Sequence, residues 1–396
     1  MTDMGTPGRV RGHGATAGEL LELLRTGRAS TRTDLRRLTG LSRTAVVSRV
    51  DALADVGLVA SGGELASTGG RPAGSVVFNH EAGTVAAAAI GRSRSQVALF
   101  DLAGGEIAAA AVEHEVGAGP DVVMPGVVQQ LTALRDASPG VVLGIGASIP
   151  GSVDPVRGVS VDSPVMVGWD GVELEAYFAS VAEEAPVFVG NDADVLARSE
   201  RLGHAAKHRN LVVVKASTGL GLGILADGRV VSGYLGGAGE IGHTKVAAAD
   251  GRQCRCGDSG CLETLAGGWA VVAQLQEAGQ PVDHVRDLVA HALDGDAAAK
   301  RLLRESGRQL GEVLAVAINL LNPEAVVLGG DMAAAFDVYA AGVRESVYGR
   351  AAALATRDLQ FLPSTFGDRA GLVGCASMAL DQVLSPAAID ARLAGA

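Results

Sequence analysis

Cysteine is scarce in this 396-residue chain, and its distribution is uneven: of four, three fall within eight positions as Cys254, Cys256 and Cys261. That pattern excludes a disulfide framework and points to a reducing compartment, where a thiol cluster signals metal. Also missing is any apolar run long enough to span a bilayer. The opening MTDMGTPGRVRGHG lacks the pattern of a signal peptide, so a cytoplasmic protein with no membrane partner is expected. There is no low-complexity segment and no solenoid repeat. Nor is there an overall basic excess: the net charge of -11 excludes a chain coated in nucleic acid. The balance is unequal along the chain, however. Residues 1–75 carry ten Arg against seven Asp and Glu. A mildly basic head on an acidic body is expected where only the head meets DNA.

What the chain does have is length and apolar content, 48% hydrophobic over 396 residues. That is enough for two or three domains. The head reads as helical. Leu20, Leu21 and Leu24 share one face of a first helix that Gly27 ends. Ser30 is placed to cap a second helix containing Leu35 and Leu38, and Ser42 a third. In that third helix Val46, Val50 and Leu53 form the buried stripe, leaving Arg43, Thr44, Ser48 and Arg49 on the other face. Two helices around the Gly40 turn match a helix-turn-helix. The extended runs Leu58–Ala60 and Ser75–Phe78 flank a glycine-rich tip and add a β-wing. The candidate DNA contacts are therefore Ser42, Arg43, Thr44, Ser48 and Arg49 on the recognition helix, with Arg71 at the wing tip for the minor groove.

From about His80 strand-like runs alternate with amphipathic helices in two similar sets. This predicts an α/β body of two lobes with a ligand cleft between them. The expected boundaries are 1–79 for the head, 80–190 for the first lobe and 191–396 for the second. A C-terminal helix near 370–390 is expected to return to the first lobe.

The segment from Glu240 to Glu263 holds the thiols. Cys-x-Cys-x4-Cys together with His243 supplies the Cys₃His set of a structural Zn²⁺ site. His243 can bind metal through one ring nitrogen and present the other to a ligand. The alternative, small buried hydrophobes, fits poorly with a loop rich in Gly, Asp and Arg.

Glu-x-Gly-His followed by Cys-x-Cys-Gly-x2-Gly-Cys-x-Glu resembles the signature of the ROK family of repressors, open reading frames and sugar kinases. The resemblance extends over nearly the whole chain. It implies a winged helix-turn-helix joined to a two-lobed body of the actin/hexokinase, RNase H-like type. It further implies that Asn191, Asp192, Glu240, His243 and Glu263 ring a sugar, Asp192 matching the general base of the family's kinases. An Asx N-cap is the structural alternative for Asn191 or Asp192. The family's Asn after Pro is replaced here by Val165.

Two loops bear on catalysis. Ser217–Ile224 keeps a glycine-rich turn, so Thr218, Gly219 and Gly221 are candidate phosphate contacts, or a tight turn kept for folding. The first hairpin departs from the kinases' Asp-x-Gly-Gly-Thr: Ala89 stands for the acid, Arg92 for the second Gly and Ser93 for the Thr. Loss of the acid argues against Mg²⁺-ATP chemistry, although Arg92 can attract a phosphate. The expectation is a non-enzymatic, sugar-responsive repressor of carbohydrate-metabolism genes. It would bind a sugar or sugar phosphate and a palindromic operator as a homodimer or homotetramer. The alternatives are an ATP-dependent sugar kinase with an added DNA head, and a body whose ligand is a protein.

Overall fold

The computed structural model describes residues 14–64, 74–154, 156–161 and 166–395. They form two compact units. The described residues up to Thr84, with Asp101–Ala103 and those from Leu380, make one; Val85–Phe100 and Gly104–Ala379 make the other.

The first unit is built on α1 (Ala17–Arg25), α2 (Arg32–Thr39) and α3 (Arg43–Asp55), followed by strands β1 (Val59–Glu64) and β2 (Gly74–Phe78). Thr16 and Glu19 close a capping box at the start of α1. The apolar stripes fall where their periodicity places them: Leu20, Leu21, Leu35, Val46, Val50 and Leu53 are all buried. Two details differ from expectation. The cap of α2 is Thr31, not Ser30, because Asp34 at the third helical position completes a box with Thr31 and takes the Ser30 hydroxyl as a further donor. Leu38 remains 39% exposed, so α2 buries Leu35 alone. Gly40, at φ 72°, supplies the left-handed turn into α3. Ser42 caps α3 through the Ala45 N–H at 3.2 Å. β1 and β2 pair antiparallel as the wing. Arg71 and the rest of the tip lie outside the described residues.

The second unit contains two five-stranded sheets. The first comprises β3 (Thr84–Ile90), β4 (Arg94–Asp101), β5 (Glu106–Glu113), β6 (Val142–Ile149) and β9 (Val187–Asn191), in the order β5-β4-β3-β6-β9. Helix α4 (Pro120–Ala137) crosses from β5 to β6. The small hairpin β7 (Val153–Asp154) and β8 (Val159–Ser160), then α5 (Glu175–Phe178), lead to β9. From β9 the chain enters α6 (Asp192–Glu200), which also packs against strands of the second sheet. That sheet comprises β10 (Leu211–Ala216), β11 (Leu220–Ala226), β12 (Arg229–Val230), β13 (Ala325–Gly329) and β14 (Gln360–Pro363), in the order β12-β11-β10-β13-β14. Its helices are α7 (Glu263–Ala266), α8 (Gly268–Glu277), α9 (Val285–Leu293), α10 (Ala297–Leu321), α11 (Phe336–Arg350) and α12 (Ala353–Thr356). Each sheet joins an antiparallel hairpin to parallel strands: β4–β5 with β6–β9, and β10–β11 with β10–β13–β14. This is the duplicated layout expected of an actin/hexokinase-type body.

Small residues set the packing distances. Gly311 lies so close to α11 that a Cβ would fall 2.6 Å from the Val343 carbonyl. Helix α13 (Ala370–Val383) covers the first sheet, where a Cβ on Gly146 would lie 2.0 Å from the Cys375 carbonyl. The alanine run of β3 is buried for the same reason: a larger residue would force the helix away. The expected C-terminal helix is in fact two. α13 ends at Val383, and α14 (Pro386–Gly395) belongs to the unit of the head. There α14 packs on α1, and Asp390 accepts the Gly18 N–H at 2.9 Å. Among the described residues no single helix is long and apolar enough to cross a membrane.

Candidate functional site: a cleft beside a cysteine-histidine cluster

Four donors converge in the second lobe. Nδ1 or Nε2 of His243 and the Sγ atoms of Cys254, Cys256 and Cys261 all lie within 4.8 Å of one another. The backbone brings them there by two short antiparallel bridges, Lys245 to Cys261 and Gln253 to Ser259. Gly257, at φ 91°, makes the turn between them. Cys254 Sγ stands 3.8 Å from His243 Nδ1, Cys256 Sγ stands 3.7 Å from Cys261 Sγ, and no disulfide forms. Tetrahedral Zn–S bonds of about 2.3 Å place sulfurs about 3.8 Å apart. The cluster therefore fits a tetrahedral metal in both chemistry and spacing. Lys245 adds charge compensation, its Nζ lying 3.1 Å from Cys261 Sγ and 2.6 Å from Asp258. Because His243 turns Nδ1 to the thiols, Nε2 is left for the cavity that the ring also lines.

That cavity has a volume of about 710 Å³. Asn191, Asp192, Glu240, His243 and Glu263 all line it, although they come from β9, α6, one 3₁₀ turn at Ile241–His243 with Glu240 before it, and α7. Their environments differ. Asn191 caps α6, its Oδ1 accepting the Ala193 and Asp194 N–H groups, while its Nδ2 donates to the Gly151 carbonyl at 2.7 Å. The capping role read from sequence is thus real and coexists with a place on the wall. Asp192 is ion-paired to Lys215 at 2.8 Å. Glu240 accepts the Ser152 hydroxyl at 2.9 Å, from a loop of the first lobe. Glu263 is almost fully buried and accepts three donors: the Leu220 N–H, Trp269 Nε1–H and Arg255.

Thr218, Gly219 and Gly221 also line the cavity, as do Ala89, Arg92 and Ser93 of the first hairpin. The glycine repeat has a packing cause: a Cβ at Gly219 would meet Glu263 at 2.7 Å, and one at Gly221 would meet Ala193 at 2.9 Å. Pro164 and Val165 lie outside the described residues. In the head, Ser42, Arg43, Thr44 and Ser48 are exposed along α3, whereas Arg49 folds back to donate to the Ala45 carbonyl at 3.2 Å.

Lys215, Arg255, Trp269 and Ser152 were not singled out from sequence. One signal was available. Lys215 is a lone charge in the otherwise apolar run Leu211–Ala216, and a cation there requires a partner.

Asp194, in the first turn of α6, yields a pH prediction. Burial lifts its carboxyl to about 6, against the pull of the Ser232 hydroxyl at 2.6 Å. Its folded value lies above the unfolded one, so the native state holds a proton that the unfolded chain releases between about pH 4 and pH 6. Stability falls across that window as pH rises. Asp194→Asn should therefore stabilise the protein above pH 6 by about 2–3 kcal/mol and give no gain below pH 4. Denaturant melts of both proteins at pH 4 and pH 7.5 check this; an equal difference at both pH values would refute the assignment.

A match to the ROK family spans residues 85–382. The chain belongs to the ROK family. It is 29% identical over 371 residues to the xylose repressor of Bacillus subtilis, covering 92% of this chain and 94% of that one. The structure of a ROK family transcriptional regulator, a homolog of the E. coli MLC protein, superposes with a TM-score of 0.80 at 26% identity, over 96% of this chain and 98% of that one. A ROK family glucokinase from Streptomyces griseus, in complex with glucose and AMPPNP, superposes with a TM-score of 0.65 at 25% identity, over 74% of this chain and 98% of that one. This ROK protein therefore shares the two-lobed body with the kinase and nearly its full length with the regulators.

Proposed function

We propose that this chain is a sugar-responsive transcriptional repressor whose body binds the effector and whose head binds operator DNA. The observation that carries the reading is the gathering of Asn191, Asp192, Glu240, His243 and Glu263 around one cavity, in a chain that also carries a winged helix-turn-helix. Carboxylates, an amide and an imidazole on one wall suit a polyol, whose hydroxyls both donate and accept. Similarity to a repressor over 92% of the chain supports the same assignment. The cluster of His243, Cys254, Cys256 and Cys261 holds a structural Zn²⁺, which fixes the segment bearing three of the five sugar contacts, Glu240, His243 and Glu263. Arg43, Thr44 and Ser48 read the major groove, with Ser42 and Arg49 beside them and Arg71 from the wing. Two copies on a palindrome supply the affinity that a head of modest charge lacks.

Sugar can alter operator affinity only by binding one conformation of the body better than another. A ROK sugar kinase is the second reading, favoured by likeness to the glucokinase. Against it, Asp192 is tied to Lys215, and the Arg92 side chain lines the cavity where a phosphate loop needs open backbone. Melting curves of the full chain with hexoses, pentoses and N-acetylated amino sugars, with and without Mg-ATP, separate the two. Stabilisation by a sugar, no ADP release, and a sugar-dependent change in operator binding are expected. ADP release would sink the repressor-only reading.

The head carries its own prediction. Arg43→Ala should weaken operator binding about tenfold to a hundredfold, and sugar-dependent stabilisation should persist. Fluorescence anisotropy on operator DNA, paired with melting curves, measures both.

A further inference from the structure

Arg92 stands at the turn between β3 and β4, half-buried in the cavity wall. Its Nε is buried without a hydrogen-bond partner, and among the described residues no carboxylate pairs with it. A guanidinium does not shed its charge near neutral pH, and an unpaired one in a partly desolvated place is costly. A second guanidinium stands close by. Burial, and then the charge of Arg255, hold Arg92 below the ordinary arginine value, with Glu263 pulling the other way. Arg255 is itself braced: Glu263 accepts from Nη2 at 3.1 Å, and its plane lies over Trp269 at 4.8 Å. Its Nε is also buried and unpartnered. Of the other cations on this wall, Lys215 is paired with Asp192, Arg94 lies 3.3 Å from Glu113, although its Nε makes no hydrogen bond, and Arg286 donates its Nε–H to His284 Nδ1. Two guanidiniums, one from each lobe, thus line one cavity, each with a buried Nε that has no hydrogen-bond partner.

We propose that Arg92 and Arg255 form an oxyanion clamp, and that the effector is a sugar bearing a phosphate or carboxylate group. This rests on the sugar-sensor reading and specifies its ligand class. The planar fork of arginine matches both oxyanions, and charge-assisted bonds of this kind are about twice as strong as neutral ones. An anion held between Arg92 of the first lobe and Arg255 of the second also favours approach of the lobes, as a switch of operator affinity requires.

The test uses the purified full chain and matched ligands: glucose with glucose 6-phosphate, N-acetylglucosamine with its 6-phosphate, and xylose with xylose 5-phosphate. Gluconate and glucuronate serve as carboxylate arms, and inorganic phosphate and Mg-ATP as controls. Calorimetry should find an anionic sugar binding at least about tenfold tighter than its neutral parent. Arg92→Gln should bring that ligand down to the level of the parent, and Arg92→Lys should restore part of the preference. Circular dichroism of the unliganded variants establishes that they fold; should Arg92→Gln fail to, Arg92→Lys and the salt dependence of the wild-type preference decide. Tighter binding of phosphates than of carboxylates, or the reverse, identifies the oxyanion. If a neutral sugar binds as tightly as its anionic forms, or if the preference survives Arg92→Gln, the clamp is wrong and the sensor stands. If inorganic phosphate or Mg-ATP binds through Arg92 and no sugar does, or if no sugar binds at all, both are wrong.

Discussion

Cys256→Ser is expected to leave the purified protein with less than a tenth of its metal after dialysis against a chelator, where the parent keeps one ion per chain. A structural zinc contributes about 10–16 kcal/mol of apparent binding energy, spread over four ligands in tetrahedral array. A hydroxyl in place of one thiolate is a far poorer ligand and cannot hold the array together. Apart from the cluster, the loop between Glu240 and Glu263 is held by two isolated bridges, two short 3₁₀ turns and cross-loop backbone bonds such as Leu262 N–H to the Thr244 carbonyl, so loss of metal should loosen it without unfolding it. Freed from metal, His243 loses the anchor on Nδ1 that aims Nε2 into the cavity. Glu240, three residues before that histidine, loosens with it, whereas Glu263, two after Cys261, is still held by the Leu220 N–H and Trp269 Nε1–H. Sugar affinity should fall about tenfold or more, and the loop should become susceptible to protease. The head stands on its own core of Leu20, Leu35, Val46 and Leu53, so operator binding without sugar should change little. Cys375→Ser is the control. That thiol is buried on α13, where it donates to the Ala88 carbonyl, and it takes no part in the cluster. Metal analysis by plasma emission, sugar calorimetry and operator anisotropy give three separate readouts. Unchanged sugar affinity in the metal-free variant would break the link between clamp and cleft.

Why the cluster was legible in sequence, and much of the cleft was not, follows from the range of the interactions. The thiols and His243 sit within nineteen positions, and their spacing alone encodes the chemistry. The head was legible for a similar reason, since burial of Val46, Val50 and Leu53 is written in helical period. Its one capping error, Ser30 for Thr31, came from reading the cap without its reciprocal partner Asp34. The cleft is different. Asp192 meets Lys215 across two elements, Glu240 meets Ser152 across two lobes, and Arg255 reaches Glu263 and Trp269 by folding back over a loop. None of these pairs has a spacing that local rules recognise. The glycine repeat shows the opposite hazard. Gly219 and Gly221 look like a phosphate cradle, yet contacts with Glu263 and Ala193 are sufficient to require them.

Asp192→Asn is expected to destabilise the body by about 1–3 kcal/mol, because Lys215 is left charged in the cavity wall without its partner. Burial opposes the charge on Lys215, and Asp192 is the leading group that restores it, keeping the ammonium above its ordinary value. The same substitution should abolish the sugar response. An ionised carboxylate accepts from two hydroxyls at once, and its loss costs about tenfold to a hundredfold in affinity. These two consequences can be separated. Lys215→Met removes the stranded charge, so Asp192→Asn/Lys215→Met should recover most of the lost stability while the sugar response stays absent. Were Asp192 only a structural partner for Lys215, the double variant would regain the response along with the stability. Both variants should still bind operator and should fail to release it when sugar is added, which in a reporter assay is permanent repression. The pair also bears on chemistry. The Lys215 ammonium occupies one carboxylate oxygen of Asp192, so a substrate hydroxyl approaching that oxygen would first have to displace it. Lys215→Met alone should therefore raise any residual ADP release above that of the parent if the cleft retains in-line geometry, and leave it at background if the Arg92 turn has removed that geometry. The second outcome is the one expected.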